Sequence, residues 1–253
     1  MNLISRFFAP CDDYIEQTEK FEWYERRRVL LVALVATIST IIFALIESII
    51  REINAPMIVT AENNWGGQIR RILWAAGNVG LVFYLVWKNK QGLASLGIQR
   101  RGLVKSLVVG GAIWIIPAII YNSPDIELRS FGEVFGHMGT PGFVAFAFAT
   151  IVFANLFLER LLFTSFIGSR LYGIMRSPKF SIFITAIFCA LLHLVVPIIS
   201  AIINDAPFRF SLGSFVNHAW LHFLIHWVHA KFNNIAGPML LHFLLGYGNR
   251  FFV

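Results

Sequence analysis

The chain has 253 residues, of which 57% are hydrophobic and only 14% are charged. A soluble domain carries about 25% charged residues, so this composition excludes an ordinary soluble protein. The net charge of +7 comes from basic residues scattered along the chain, not from the clustered patch typical of nucleic-acid binding. The apolar runs reach the length of membrane-spanning helices, which predicts an all-α, polytopic membrane helix bundle.

The first 28 residues mix aromatic and charged side chains, which predicts a segment lying at the membrane interface. Residues 29–253 are predicted to form a single transmembrane domain. About seven transmembrane helices are expected in it, each roughly 17–25 residues long, at approximately 29–50, 69–87, 103–121, 142–167, 180–201, 212–230 and 234–252. Lys and Arg are more frequent in the segments predicted to lie on the same side of the membrane as the amino terminus. This distribution predicts a cytoplasmic amino terminus.

Three ionisable residues lie inside three different predicted spans, namely Glu159, His193 and His242. A charge at the centre of a span costs roughly 2.5–3.5 kcal/mol, so an ionisable residue there indicates a function by default. Each histidine, taken alone, is more simply explained as a core residue with its hydrogen bonds satisfied. Together, one carboxylate and two imidazoles are the set that a hydrolase needs to deprotonate water and stabilise an oxyanion.

Arg160 directly follows Glu159. Neighbours on an α-helix point about 100° apart, so their side chains do not face one another. We therefore expect Glu159 and Arg160 each to have a separate partner. Spacing alone leaves two interpretations of this pair open, a functional one and a structural one in which the charges are neutralised.

The sixth predicted span carries four histidines at helical spacing: His218, His222, His226 and His229. At about 100° per residue they form one stripe about 80° wide. The spacing of four residues is compatible with two ligands of one metal ion, but no cysteine or aspartate on this helix completes a site. We favour a polar stripe that faces the bundle interior, and a transporter or metal-handling protein is the alternative.

The order and spacing of these residues resemble the CPBP family, which comprises membrane proteases and bacteriocin-immunity proteins related to the type II CAAX prenyl endopeptidases. The resemblance covers about residues 92–246. The family's Glu-Glu-x-x-x-Arg motif corresponds to the stretch from Glu159 to Thr164, its Phe-x-x-x-His motif to Cys189–His193, and its His-x-x-x-Asn motif to the stretch from His242 to Gly246. The short segment "GLASLGI", at 92–98, is a weaker match.

The resemblance implies an intramembrane endopeptidase. Glu159 would be the general base that activates a water molecule, His193 would assist that water, and His242 would hold the oxyanion. The resemblance implies neither a metal nor a cofactor. It implies a protein or peptide substrate in the membrane and contact with the lipid bilayer. The scattered basic residues predict no nucleic-acid partner. We expect an integral protein of the bacterial plasma membrane.

Four positions depart from the family pattern: Arg160 replaces the second glutamate, Thr164 the arginine, Cys189 the phenylalanine and Gly246 the oxyanion-binding asparagine. Loss of one oxyanion donor typically costs about 10²–10³ in rate. These departures support an alternative, in which the protein is a catalytically impaired scaffold or immunity protein that binds a membrane protein partner.

Overall fold

The computed structural model describes residues 9–19, 23–53, 65–122, 141–203 and 212–245. All regular secondary structure in these ranges is helical, which confirms the all-α prediction. The helices are α1 (Asp12–Glu19), α2 (Trp23–Ile53), α3 (Trp65–Lys88), α4 (Leu103–Asn122), α5 (Pro141–Thr150), α6 (Ser169–Met175), α7 (Pro178–Ile203), α8 (Leu212–Phe232) and α9 (Ala236–Phe243). A 3₁₀ helix, Leu93–Leu96, lies between α3 and α4.

The backbone between α5 and α6 is π-helical. Two π segments, Ile151–Leu158 and Arg160–Gly168, meet at Glu159, so that residues 141–175 form one continuous helix. A π-helix is rare and usually only one turn long, and it occurs frequently at functional sites because it re-aims side chains. Glu159 therefore lies at the centre of the least regular helix in the described part of the chain.

Membrane-length helices are confirmed. Four helices are long and apolar enough to cross a membrane: Arg27–Ile46, Ile69–Lys88, Phe148–Met175 and Lys179–Ile203. The apolar stretch Leu103–Ile116 is shorter. The count of seven spans is not confirmed by the described residues. Helix α8 has the length of a span, 21 residues, but its histidines make it more polar than the four. Residues 246–252, the end of the last predicted span, lie outside the described part.

The continuous helix of residues 141–175 forms the centre of the bundle. In its membrane-length part 75% of the residues are buried, against 28–35% in the other three candidate spans. The outward side of α2 instead exposes Leu30, Leu34 and Ile38. Large apolar side chains in such a position are suited to a lipid environment. Polar groups on the central helix, including Glu159, are consequently enclosed by the other helices.

Helices α4 and α9 pack unusually closely because glycines meet at their contact. A Cβ atom placed on Gly110 would lie 2.5 Å from the carbonyl oxygen of Gly237. The amide of Gly237 donates a hydrogen bond to Oγ of Ser106 at 3.0 Å. Small residues at such contacts let membrane helices approach closely. This contact fixes α9, and with it His242, against the bundle.

The amino-terminal helix α1 packs against α6 and α8. The amide of Cys11 donates a hydrogen bond to the carbonyl of Ala230 at 3.0 Å. Tyr14 is buried beside Tyr172, with ring centroids 5.8 Å apart. The segment 9–19 is thus docked on one end of the bundle. Its position at the membrane interface stays a prediction.

Candidate active site

Three polar side chains from three helices converge in the bundle. Glu159 lies between the two π segments, His193 on α7 and His222 on α8. One carboxylate oxygen and one imidazole nitrogen from each histidine all lie within 4.8 Å of one another. The structure therefore brings together Glu159 and His193, two of the three residues that the sequence singled out. His222 was assigned to the histidine stripe, and its place in this cluster was missed.

His242 joins the cluster through His222 rather than through Glu159. The ring centroids of His193 and His222 are 5.0 Å apart, and those of His222 and His242 are 6.2 Å apart. His222 thus lies between the two histidines that the sequence singled out. Its spacing of four residues from His218 and His226 was the only signal in the sequence that could have found it.

The hydrogen bonds of the histidines define their neutral tautomers. Nδ1 of His193 lies 2.8 Å from the carbonyl oxygen of Cys189. A carbonyl oxygen only accepts, so Nδ1 carries the proton and Nε2 keeps a lone pair. Nδ1 of His222 lies 3.2 Å from Nη1 of Arg160. A guanidinium only donates, so this Nδ1 accepts and Nε2 of His222 carries the proton. The cluster therefore contains one imidazole acceptor and one imidazole donor.

Arg160 links Glu159 to His222. Its side chain is completely buried, with 0% exposure, and its Nη2 bonds Oε1 of Glu159. The expectation that Glu159 and Arg160 would not meet is wrong. The physical reasons are the wider π turn, which brings successive side chains closer in direction than an α turn does, and the long guanidinium arm. A buried charge that is paired and hydrogen-bonded in this way is the form that a bundle interior tolerates.

The histidine stripe faces the interior of the bundle, which confirms the favoured interpretation for His222, His226 and His229, all of which are buried. Nε2 of His226 lies 3.8 Å from Sγ of Cys189 on α7. The ring of His229 lies edge-on to Tyr14, with centroids 5.8 Å apart. The four histidines therefore have different surroundings: His222 belongs to the Glu159 cluster, and the ring of His218 lies beside that of His193, with centroids 5.5 Å apart.

A cavity of 390 Å³ opens beside Glu159 and His193. Most of its wall is apolar or aromatic and comes from α2, α3, the second π segment and α7. The lining residues are Thr40, Phe43, Arg71, Trp74, Glu159, Phe163, Cys189, Leu192, His193 and Pro197. Ligand sites are typically apolar cavities with a few polar groups, in this range of volumes. Here the polar groups include Glu159 and His193, two of the three residues that the sequence proposed for catalysis.

Three of the four positions that depart from the family pattern, Arg160, Thr164 and Cys189, are buried in the bundle. Oγ1 of Thr164 is buried without a hydrogen-bond partner among the described residues, as is Nδ1 of His242. Cys189 is a buried free thiol in the cavity wall. Gly246 lies outside the described residues. Arg160 supplies a positive charge one turn from the position at which the family has an arginine.

Residues 141–247 match the model of a family described as "Type II CAAX prenyl endopeptidase Rce1-like". No curated protein and no solved structure matches the chain. The matched stretch includes Glu159, His193, His222 and His242, and begins after the short segment at 92–98. The long apolar helices are those of an integral membrane protein, and the match over residues 141–247 confirms the resemblance of this region to the CPBP family of membrane proteases, to which the type II CAAX prenyl endopeptidases are related.

Proposed function

We propose that the protein is an intramembrane endopeptidase in which Glu159 activates water for the hydrolysis of a peptide bond. The observation that carries the proposal is the approach of Glu159 and His193 to within 4.8 Å on the wall of one cavity. Glu159 lies inside the membrane-length stretch Phe148–Met175. The reaction would therefore take place at the depth of the bilayer.

The proposed reaction is a direct attack by water. The carboxylate of Glu159 takes one proton, and the lone pair on Nε2 of His193 accepts a hydrogen bond from the same water. The water oxygen bonds to the peptide carbonyl carbon, whose oxygen becomes an oxyanion. The carbon–nitrogen bond then breaks, and the proton held by Glu159 passes to the departing amine. General base catalysis of this kind contributes about 10²–10⁴ in rate.

The oxyanion requires hydrogen-bond donors in a site from which bulk water is excluded. We assign this role to His222 and His242. Nε2 of His222 carries a proton when Nδ1 accepts from Arg160, and Arg160 adds a positive charge behind the ring. His222 and Arg160 would in this way compensate for the family's asparagine, which is Gly246 here.

The substrate is proposed to be a protein or peptide that reaches the cavity from the lipid bilayer. The wall is dominated by Phe43, Trp74, Phe163 and Leu192, which favour an apolar peptide segment. The cavity borders α2, α3 and α7, each of which exposes apolar side chains on its outer face. A substrate anchored in the membrane would reach it without first crossing into water.

Replacing His193 with alanine is expected to lower the rate of peptide cleavage by about 10²-fold, because the water loses its second acceptor. The measurement is the cleavage of membrane-anchored peptides by protein reconstituted in lipid vesicles. His229→Ala is the matched control, since His229 is buried on α8 beside Tyr14 and outside the cluster. Cleavage at the wild-type rate by His193→Ala would contradict the proposal.

A second candidate function is a catalytically impaired scaffold or immunity protein that binds a membrane partner. The observation that favours it is the bond between Arg160 and Glu159, which occupies an oxygen of the proposed base. In that case Glu159→Gln leaves the cellular phenotype intact, and the same partner is recovered in a pull-down with either form. Loss of the phenotype with Glu159→Gln at unchanged protein level would argue for the protease.

We also propose that the amino terminus is cytoplasmic in a bacterial plasma membrane, as the distribution of Lys and Arg favours. Cys11, on the amino-terminal side, is the only cysteine in the chain besides the buried Cys189. A membrane-impermeant maleimide is therefore expected to label sealed right-side-out vesicles only after permeabilisation. Burial raises the pKa of the Cys11 thiol, so labelling should accelerate as the pH is increased. If sealed vesicles are labelled, and the labelling disappears in Cys11→Ser, the amino terminus lies outside and the proposed orientation is wrong.

A further inference from the structure

A second cluster shares His222 with the Glu159 cluster. Sγ of Cys189 and one imidazole nitrogen each of His222 and His226 all lie within 4.8 Å of one another. All three side chains are buried, with at most 3% of their surface exposed. We propose that Cys189, His222 and His226 form a binding site for a thiophilic divalent cation of the Zn²⁺ type. The proposal does not depend on the proposed peptidase function.

Helix geometry and packing together produce the cluster. His222 and His226 are four residues apart and project from one face of α8. Helix α7 packs along that face and brings Cys189 to 3.8 Å from Nε2 of His226. The sequence offered two imidazoles but no third ligand on the same helix. The neighbouring helix provides it.

The donor atoms select the class of cation. One thiolate and two imidazoles are a ligand set of Zn²⁺ sites, and three protein ligands leave a fourth position open. Thiolates favour soft and borderline cations, whereas Mg²⁺ and Ca²⁺ prefer oxygen ligands. Access exists because Cys189 lines the 390 Å³ cavity. The site therefore combines one thiolate and two imidazole ligands with a cavity through which a small cation can reach them.

The alternative cluster of Glu159, His193 and His222 is less suited to the same cation. Oε1 of Glu159 is already bonded to Arg160, so a cation bound to this carboxylate would lie close to the guanidinium charge. The cysteine cluster contains only one residue bonded to Arg160, which is His222. It also contains the thiol, which is the strongest ligand for Zn²⁺ among these side chains once it is deprotonated.

Binding would alter the contact between Arg160 and His222. A cation on Nε2 of His222 moves the ring proton to Nδ1, which can then no longer accept from Arg160. This shift of tautomer releases no proton. The thiol of Cys189 must lose its proton to become a ligand. Each cation bound should therefore release one proton in total and break the hydrogen bond between Arg160 and His222.

The test uses the full-length protein in lipid nanodiscs after removal of metals. Co²⁺ is titrated as a spectroscopic substitute for Zn²⁺. The expected results are a thiolate-to-cobalt charge-transfer absorption that saturates at one Co²⁺ per chain, its loss on addition of Zn²⁺, and no competition by Mg²⁺. Calorimetry with Zn²⁺ in buffers of different ionisation enthalpy should give one proton released per cation. A site made of Glu159, His193 and His222 would give no thiolate absorption.

Two variants locate the cation. Cys189→Ser and His226→Ala are each expected to abolish the absorption, whereas Cys11→Ser, the matched cysteine control, should retain it. Charge-transfer absorption that persists in Cys189→Ser would overturn the proposal. So would one-to-one Co²⁺ binding that is lost in Glu159→Gln but kept in Cys189→Ser. If the Cys189 variant does not fold, the wild-type protein decides: saturation without thiolate absorption, or without proton release, overturns it equally.

Discussion

Replacing Glu159 with glutamine is expected to lower the rate of peptide hydrolysis by about 10³-fold, within the range of about 10²–10⁴ for loss of a general base. Glutamine has nearly the same size and can still accept a hydrogen bond from Arg160, but it cannot take a proton from water. The effect should therefore appear in kcat, with little change in KM, because the apolar cavity wall that binds the peptide is unaltered. The measurement is cleavage of a membrane-anchored peptide in vesicles.

Two further variants make this result specific to the base. Glu159→Asp keeps a carboxylate and should retain more activity than Glu159→Gln, although the shorter side chain misplaces it. Glu19→Gln makes the same chemical change at an exposed residue at the end of α1 and should cleave at the wild-type rate. Equal rates for wild type and Glu159→Gln would exclude the mechanism and leave the scaffold function as the better account of the protein.

Replacing Arg160 with methionine is expected to lower the free energy of unfolding by about 3 kcal/mol, since removing one partner of a buried pair leaves the other charge uncompensated. Arg160 is completely buried and bonds both Glu159 and His222. Methionine preserves much of the packing volume and removes both bonds. The measurement is reversible unfolding in mixed detergent, compared with wild type.

Arg71→Met is the matched control for this stability change. Arg71 lines the same cavity but is exposed, and exposed charges contribute about 0–1 kcal/mol. Its replacement should therefore change the free energy of unfolding little. Arg160→Lys, which keeps the charge but loses the planar fork, should fall between wild type and Arg160→Met. If Arg160→Met unfolds like Arg71→Met, the contacts of Arg160 do not stabilise the bundle.

The long apolar runs of the chain, and the ionisable residues inside them, allowed the membrane fold and two members of the site to be predicted. Long apolar runs must form helices in lipid, because every backbone hydrogen bond has to be made within the segment. An ionisable residue inside such a run needs an interior position. These two constraints are local, so Glu159 and His193 could be recognised from single segments. The observed spans Ile69–Lys88 and Lys179–Ile203 follow the predicted 69–87 and 180–201 for the same reason.

The contacts between helices could not be predicted in this way. Arg160 meets His222 across 62 positions in the sequence, and Cys189 meets His226 across 37. Which side of α8 faces which helix depends on the packing of the whole bundle, and four histidines on one stripe are equivalent until that packing is known. The π-helical backbone around Glu159 was also unforeseen, because apolar composition does not distinguish a π-helix from an α-helix.

The sequence by itself thus determined that this protein is an all-α membrane protein with a carboxylate and imidazoles inside its spans, because burial in lipid constrains each segment separately. Only the tertiary structure decided how those groups are paired. It bonds Glu159 to the arginine beside it, places His222 between His193 and His242, and sets Cys189 against His226. Such pairings depend on the relative rotation of helices, which is fixed by close packing between residues distant in the chain.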